Sequence, residues 1–205
     1  MMFCDNPLFL CSILLNMKMN KSIIWSLILL IIVAAVYRII PNRPYGFAPH
    51  IAMALFAGAI IKDKKWAFAL PLFSIFLSDL LYQILYINGL TDLPGFYEGQ
   101  ATNYLLFSGI TCIGFFLKRI TPVRVGAYAF LTATVFFVAS NLMVWVNGAG
   151  FARPKTWSGL LECYTDALPF YRGSLIATIV FSILLFGGHY LLRKPVVPAK
   201  LSEHA

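Results

Sequence analysis

Asp79, Tyr82, Gln83 and Tyr86 fall at i, i+3, i+4 and i+7 in a stretch that is otherwise built of lipid-soluble side chains, FLSDLLYQILY. That spacing puts all four on one face of a helix. A carboxylate at a bilayer centre costs about 2.5–3.5 kcal/mol on insertion scales, so a residue such as Asp79 is expected to face a bundle interior or a solute pathway. A carboxylate, a carboxamide and two phenols there could hydrogen-bond a solute and stack on its rings. Thr134, Asn141 and Trp145 share a second face of this kind, and His50, Asn103 and Arg172 place polar groups near the ends of three further apolar segments.

The elements that must position these residues follow from length and hydropathy. A helix rises about 1.5 Å per residue, and a bilayer core of about 30 Å takes about 20 apolar residues. Six segments are read as spans, at 22–40, 46–61, 66–86, 103–118, 126–146 and 169–192, the second and fourth being short. Counted from the segment ends, Asp79 lies roughly 20 Å and Asn141 roughly 22 Å from the same membrane face. His50, Gln83, Asn103 and Arg172 fall in that outer layer too, and the inner halves of these segments carry almost no polar side chains. The expected site is a polar and aromatic pocket opening outward. Its substrate-binding residues would be Asp79, Tyr82, Gln83, Asn141 and Trp145, with His50 and Arg172 at the mouth. Plainer readings stand beside this one: Asn141 as an interhelical hydrogen bond, Arg172 as a snorkelling side chain, and Asp79 with Arg172 as a structural ion pair.

Composition supports the membrane reading. Of 205 residues, 60% are hydrophobic and 12% charged, against roughly 45–50% and 25% in soluble domains. The sixteen lysines and arginines against eight acids mark topology rather than nucleic-acid binding. Eleven fall in the amino-terminal region, the 62–65 and 118–124 loops and the tail, and five on the other side. The positive-inside bias then places both termini in the cytoplasm. Between spans five and six, Trp157, Leu160, Leu161 and Tyr164 recur at helical spacing, which predicts a short outer interfacial helix broken at Pro169. The small-residue run AMALFAGA at 52–59 offers close approach between helices. The chain therefore reads as all-α: a leader over 1–21 (Met17 offers a second start), a single six-helix transmembrane domain over 22–194, and a cytoplasmic tail over 195–205.

Several chemistries leave no trace. There is no G-x-x-x-x-G-K-[ST], HExxH or GxSxG run. The four cysteines form no CxxC pair and have no histidine cluster beside them, so no metal site, cofactor or catalytic residue is assigned.

Two runs carry a resemblance: RIIPNRPYGFAPHIAMALFAGA…K…AFALPLFSIFLSDLLYQ, and SNLMVWV…TWSGLLECYTDALPFYRGSL…LLFG. Together they cover about residues 38–187. They resemble a family of uncharacterised bacterial inner-membrane proteins, which is similar in turn to the substrate-binding (S) components of energy-coupling-factor transporters. The residues that match are Arg38, Pro41, Pro49, Ser78, Asp79, Asn141, Trp145, Tyr164, Pro169 and Arg172. The resemblance implies a multi-pass protein of the bacterial cytoplasmic membrane that captures a small molecule, a vitamin or metal-related solute. It would pair with a transmembrane coupling subunit and two ATPases, its other partners being the solute and the lipid bilayer. The expectation is a small-solute-binding subunit of an uptake system, and not an enzyme. Two alternatives come from other classes: a structural scaffold of the inner membrane, and an intramembrane enzyme acting on lipid or isoprenoid groups with His50 and Asp79 as its acid–base pair.

Overall fold

A computed structural model of the chain describes residues 46–92, 94–148 and 153–192, with positions 32, 36 and 37. Five helices are described: α1 His50–Ile60, α2 Lys64–Ile87, α3 Gln100–Gly114, α4 Pro122–Asn147 and α5 Trp157–Leu192. No strand is assigned among these residues. The leader and the tail, and most of the first expected span, lie outside them.

Local chemistry sets the helix ends. Asp63 caps α2 by accepting from the Lys65 backbone N–H at 2.9 Å. Thr121 does the same for α4 through Arg124, with Pro122 at the first helical position, where its missing N–H costs nothing. Gly148 ends α4 at φ 73°, a left-handed conformation that favours glycine. Thr156 starts α5 by taking the Gly159 N–H at 3.2 Å.

Helix α1 is the centre of the bundle. Nine of its eleven residues are buried, and it touches all four other helices, while α2 to α5 pack each against the next around it. Two glycines bring α1 and α3 together: a Cβ on Gly58 would stand 2.2 Å from the Thr111 carbonyl oxygen, and one on Gly114 would stand 2.6 Å from that of Leu55. The small-residue run at 52–59 is thus a helix-crossing surface.

Three helices, α2, α4 and α5, are long and apolar enough to cross a membrane. Their outer surfaces stay apolar, with Phe130 54%, Val146 52% and Ile183 64% exposed, as a lipid-facing surface would be. Helices α1 and α3 do not qualify, because eleven and fifteen residues reach only about 16 and 22 Å. Six spans are therefore not supported. The second segment shrinks because its helix starts only after Pro49, and the fourth, although its helix starts early at Gln100, stops short because α3 ends at Gly114.

The separate interfacial helix is also corrected. Helix α5 runs without a break through Pro169 for 36 residues. A proline inside a helix removes one backbone bond and costs about 3 kcal/mol. Here both arms of the helix are fastened to α4 close to that point: the Tyr164 hydroxyl donates to the Val138 carbonyl at 2.8 Å, and the Tyr171 hydroxyl meets Thr134 Oγ1 at 2.9 Å.

Candidate functional site

The expected site residues divide into two places. The first lies where α2, α3 and the 94–96 loop meet. Asp79 is 2% exposed, and its Oδ2 accepts from Gln100 Nε2 at 2.5 Å and from the Tyr104 hydroxyl at 2.8 Å. Gln100 and Tyr104 are one turn apart on α3, and the Gln100 amide also donates to the Tyr104 oxygen at 3.0 Å. One turn along α2, Gln83 Oε1 accepts the backbone N–H groups of Gly95 and Phe96 at 3.1 and 3.2 Å. Gln83 thereby staples the loop onto α2. His50 is buried at the start of α1 with its ring 6.1 Å from that of Phe107, one turn beyond Tyr104. Tyr82 is half-buried and Tyr86 exposed.

This arrangement locks α2 to α3. Asp79→Ala leaves the Tyr104 hydroxyl and the Gln100 amide without their shared acceptor, at a cost of about 1–3 kcal/mol. The expected result is a lower thermal unfolding midpoint in detergent, with Asp79→Asn, which keeps an acceptor oxygen, falling between that variant and wild type.

The second place is a cavity of about 270 Å³ between α4 and α5. Its walls are aromatic: Phe136, Phe137, Trp145, Phe170 and Tyr171. The Phe137 and Tyr171 rings lie 4.6 Å apart. Polar lining comes from Ser140, Asn141, Arg153, Asp166 and Ser174. Asn141 Nδ2 donates to the Phe137 carbonyl at 2.8 Å, a bond within its own helix, which leaves the amide oxygen to other uses.

One end of the cavity is shaped by residues 153–156. Arg153 donates to Asp166 Oδ2 from Nε at 3.0 Å and from Nη2 at 2.6 Å, and its Nη1 meets Glu162 at 3.1 Å. The hydrogen bond to Asp166 raises the guanidinium above its ordinary pKa, so this side chain stays cationic. The Trp145 indole N–H donates to the Pro154 carbonyl at 3.0 Å. Lys155 reaches back to the Val146 carbonyl at 2.9 Å, with its ammonium 5.1 Å above the Trp145 ring, and so caps the carbonyl end of α4.

Asn141 and Trp145 thus line the cavity, whereas Asp79, Tyr82, Gln83 and His50 do not. Arg172 is exposed on α5, next to Tyr171, and the described partners of Asp79 are Gln100 and Tyr104 rather than Arg172. Sequence reasoning missed Gln100 and Tyr104, though their i, i+4 spacing was a usable signal. It also missed Asp166 and Phe170, which are likewise one turn apart, because the break assumed at Pro169 put them on different helices. Among the described residues, no group of three or more His, Cys, Asp or Glu side chains is placed to hold a metal ion.

Among the described residues the regular structure is all helical, and three helices long and apolar enough to cross a bilayer, with an aromatic cavity between two of them, point to a membrane protein. Residues 18–200 match the model of DUF6580, a family of unknown function, and the chain belongs to that family. No curated protein and no solved structure matches it.

Proposed function

We propose that the protein captures a small organic solute in the cavity between α4 and α5, as the binding subunit of an uptake system in the bacterial cytoplasmic membrane. One observation carries the reading: an aromatic cavity of about 270 Å³, with Asn141 and Trp145 in its wall, lies between the two longest apolar helices. Ligand sites are largely apolar pockets with a few fixed polar groups, commonly about 300–1,000 Å³, so this one suits a ligand of one or two rings. The lysine and arginine asymmetry supports a multi-pass chain with both termini in the cytoplasm. We extend the proposal to partnership with a coupling subunit and ATPases, since this sequence has no nucleotide-binding loop of its own. We read the activity as binding without catalysis.

Native mass spectrometry of the protein purified in mild detergent tests the proposal. A co-purified small molecule is expected, lost in Trp145→Ala and Asn141→Ala and kept in Asp79→Asn. Wild-type protein without a ligand, or a ligand kept by both cavity variants, would sink it. The second reading, a structural scaffold, is favoured by the Asp79 lock, whose hydrogen bonds to Gln100 and Tyr104 join α2 to α3.

A further inference from the structure

We infer that the occupant of the α4–α5 cavity is a small organic cation: a protonated amine carried on a compact ring. This rests on the solute-binding reading above and names the ligand's chemistry.

The hydrogen-bonding capacity left in the lining is one-sided. Its donors are committed to the protein. Trp145 gives its single N–H to the Pro154 carbonyl, Ser174 gives its hydroxyl to Gly46, and Ser140 gives its own to Phe137. Thr134 spends its hydroxyl proton on the Phe130 carbonyl at 2.8 Å, so in the 2.9 Å contact between Thr134 and Tyr171 it is Tyr171 that donates. All three guanidinium nitrogens of Arg153 are engaged by Asp166 and Glu162. Asn141 keeps one amide proton after donating to Phe137.

The acceptors are in the opposite state. Both Arg153 bonds to Asp166 fall on Oδ2, and among the described residues neither Asp166 Oδ1 nor the Asn141 amide oxygen accepts a hydrogen bond. Within the lining the charge of Arg153 is balanced by Asp166; outside it Glu162 and Lys155, the latter tied to the Val146 carbonyl, balance likewise, so the free acceptors and not a net charge favour a cation. Most of the remaining wall, beside Ala133, Val144 and Ala167, is aromatic, and ring faces attract cations. An ammonium group would find acceptors and ring faces ready for it. A carboxylate would first have to pull Arg153 away from Asp166.

Calorimetric titration of the full-length protein in nanodiscs, with three probes of one shape, decides the matter: 2-phenylethylammonium, 2-phenylethanol and phenylacetate. Trp145→Ala protein in the same nanodiscs supplies the background from lipid partitioning. The expected result is Trp145-dependent binding of the ammonium at least ~10-fold tighter than of the alcohol, with phenylacetate weakest. Asp166→Asn should erase most of that preference. Asn141→Asp, which adds an acceptor charge without removing a wall, should tighten the ammonium alone and keeps the test informative where another variant folds poorly. Trp145-dependent binding of the alcohol or of phenylacetate as tight as that of the ammonium overturns the cation inference and leaves the cavity reading standing. If none of the three binds above the Trp145→Ala background, the cavity reading falls with it.

Discussion

Gly95→Ala is expected to cost more than any loss of a single hydrogen bond in this protein. A Cβ at position 95 would lie 1.9 Å from the Asp79 carbonyl oxygen, 2.4 Å from the Gln83 backbone nitrogen and 2.9 Å from the Gln83 Cβ. Two of these neighbours are helix backbone, so no rotamer change relieves the contact. The loop must lift off α2. That movement breaks the bonds from Gly95 and Phe96 to Gln83 and pulls Gly95 from the Gln100 amide that also holds Asp79. Ordinary overpacking costs about 1–3 kcal/mol; a backbone clash that also opens a buried hydrogen-bond cluster should exceed it. The measurement is the monodisperse yield and thermal midpoint of the detergent-purified variant. Gly109→Ala on α3 is the matched control, since nothing lies within 4 Å of its Cβ position, and alanine should there be neutral or help by about 0.5–1 kcal/mol. If the two variants melt together, the 94–96 loop does not hold the Asp79 cluster.

The contrast between the two polar clusters shows what a sequence of this kind makes legible. Hydropathy and length identified α2, α4 and the second half of α5 as apolar spans, and the charge of Asp79 marked it for burial. Both follow from free energies that depend on residue type alone. Counting residues along a helix also gives the distance of Asp79 and Asn141 from the ends of their segments, an expected depth. What depth does not contain is direction around the bundle. Two residues at one level can face different neighbours, and here Asp79 turns to Gln100 and Tyr104 on α3 while Asn141 and Trp145 turn to the cavity beside α5. Pairing of helices is decided by long-range packing, and no local pattern in a single sequence encodes it. Pro169 was misread for a related reason: its local preference to break a helix is real, but the tertiary bonds of Tyr164 and Tyr171 to α4 outweigh it. The run at 52–59 succeeded because small side chains have one dominant use in a bundle, close helix approach.

That approach gives the second large effect, Gly58→Ala. In a membrane, burial of apolar surface does little to drive helices together, since lipid is as apolar as leucine; packing at short distance carries the association. A Cβ on Gly58 would come within 2.2 Å of the Thr111 carbonyl oxygen and 3.0 Å of the Gly114 Cα. Both are main-chain atoms of α3, so the methyl forces the two helix axes apart. Helix α1 cannot yield locally, because nine of its eleven residues are buried and it touches α2, α4 and α5 as well. A shift that relieves α3 presses on the other side of the core, where Leu55 is fully buried and Phe56 packs its ring 5.1 Å from that of Phe186. The expected loss is about 3 kcal/mol or more, a fall of roughly 6–12 °C in thermal midpoint for a chain of this size. Gly187→Ala on α5, with nothing within 4 Å of its Cβ position, should leave the midpoint within about 2 °C of wild type. Equal melting of the two variants would mean that α1 and α3 do not cross at Gly58 and Gly114, and the central position of α1 would be wrong.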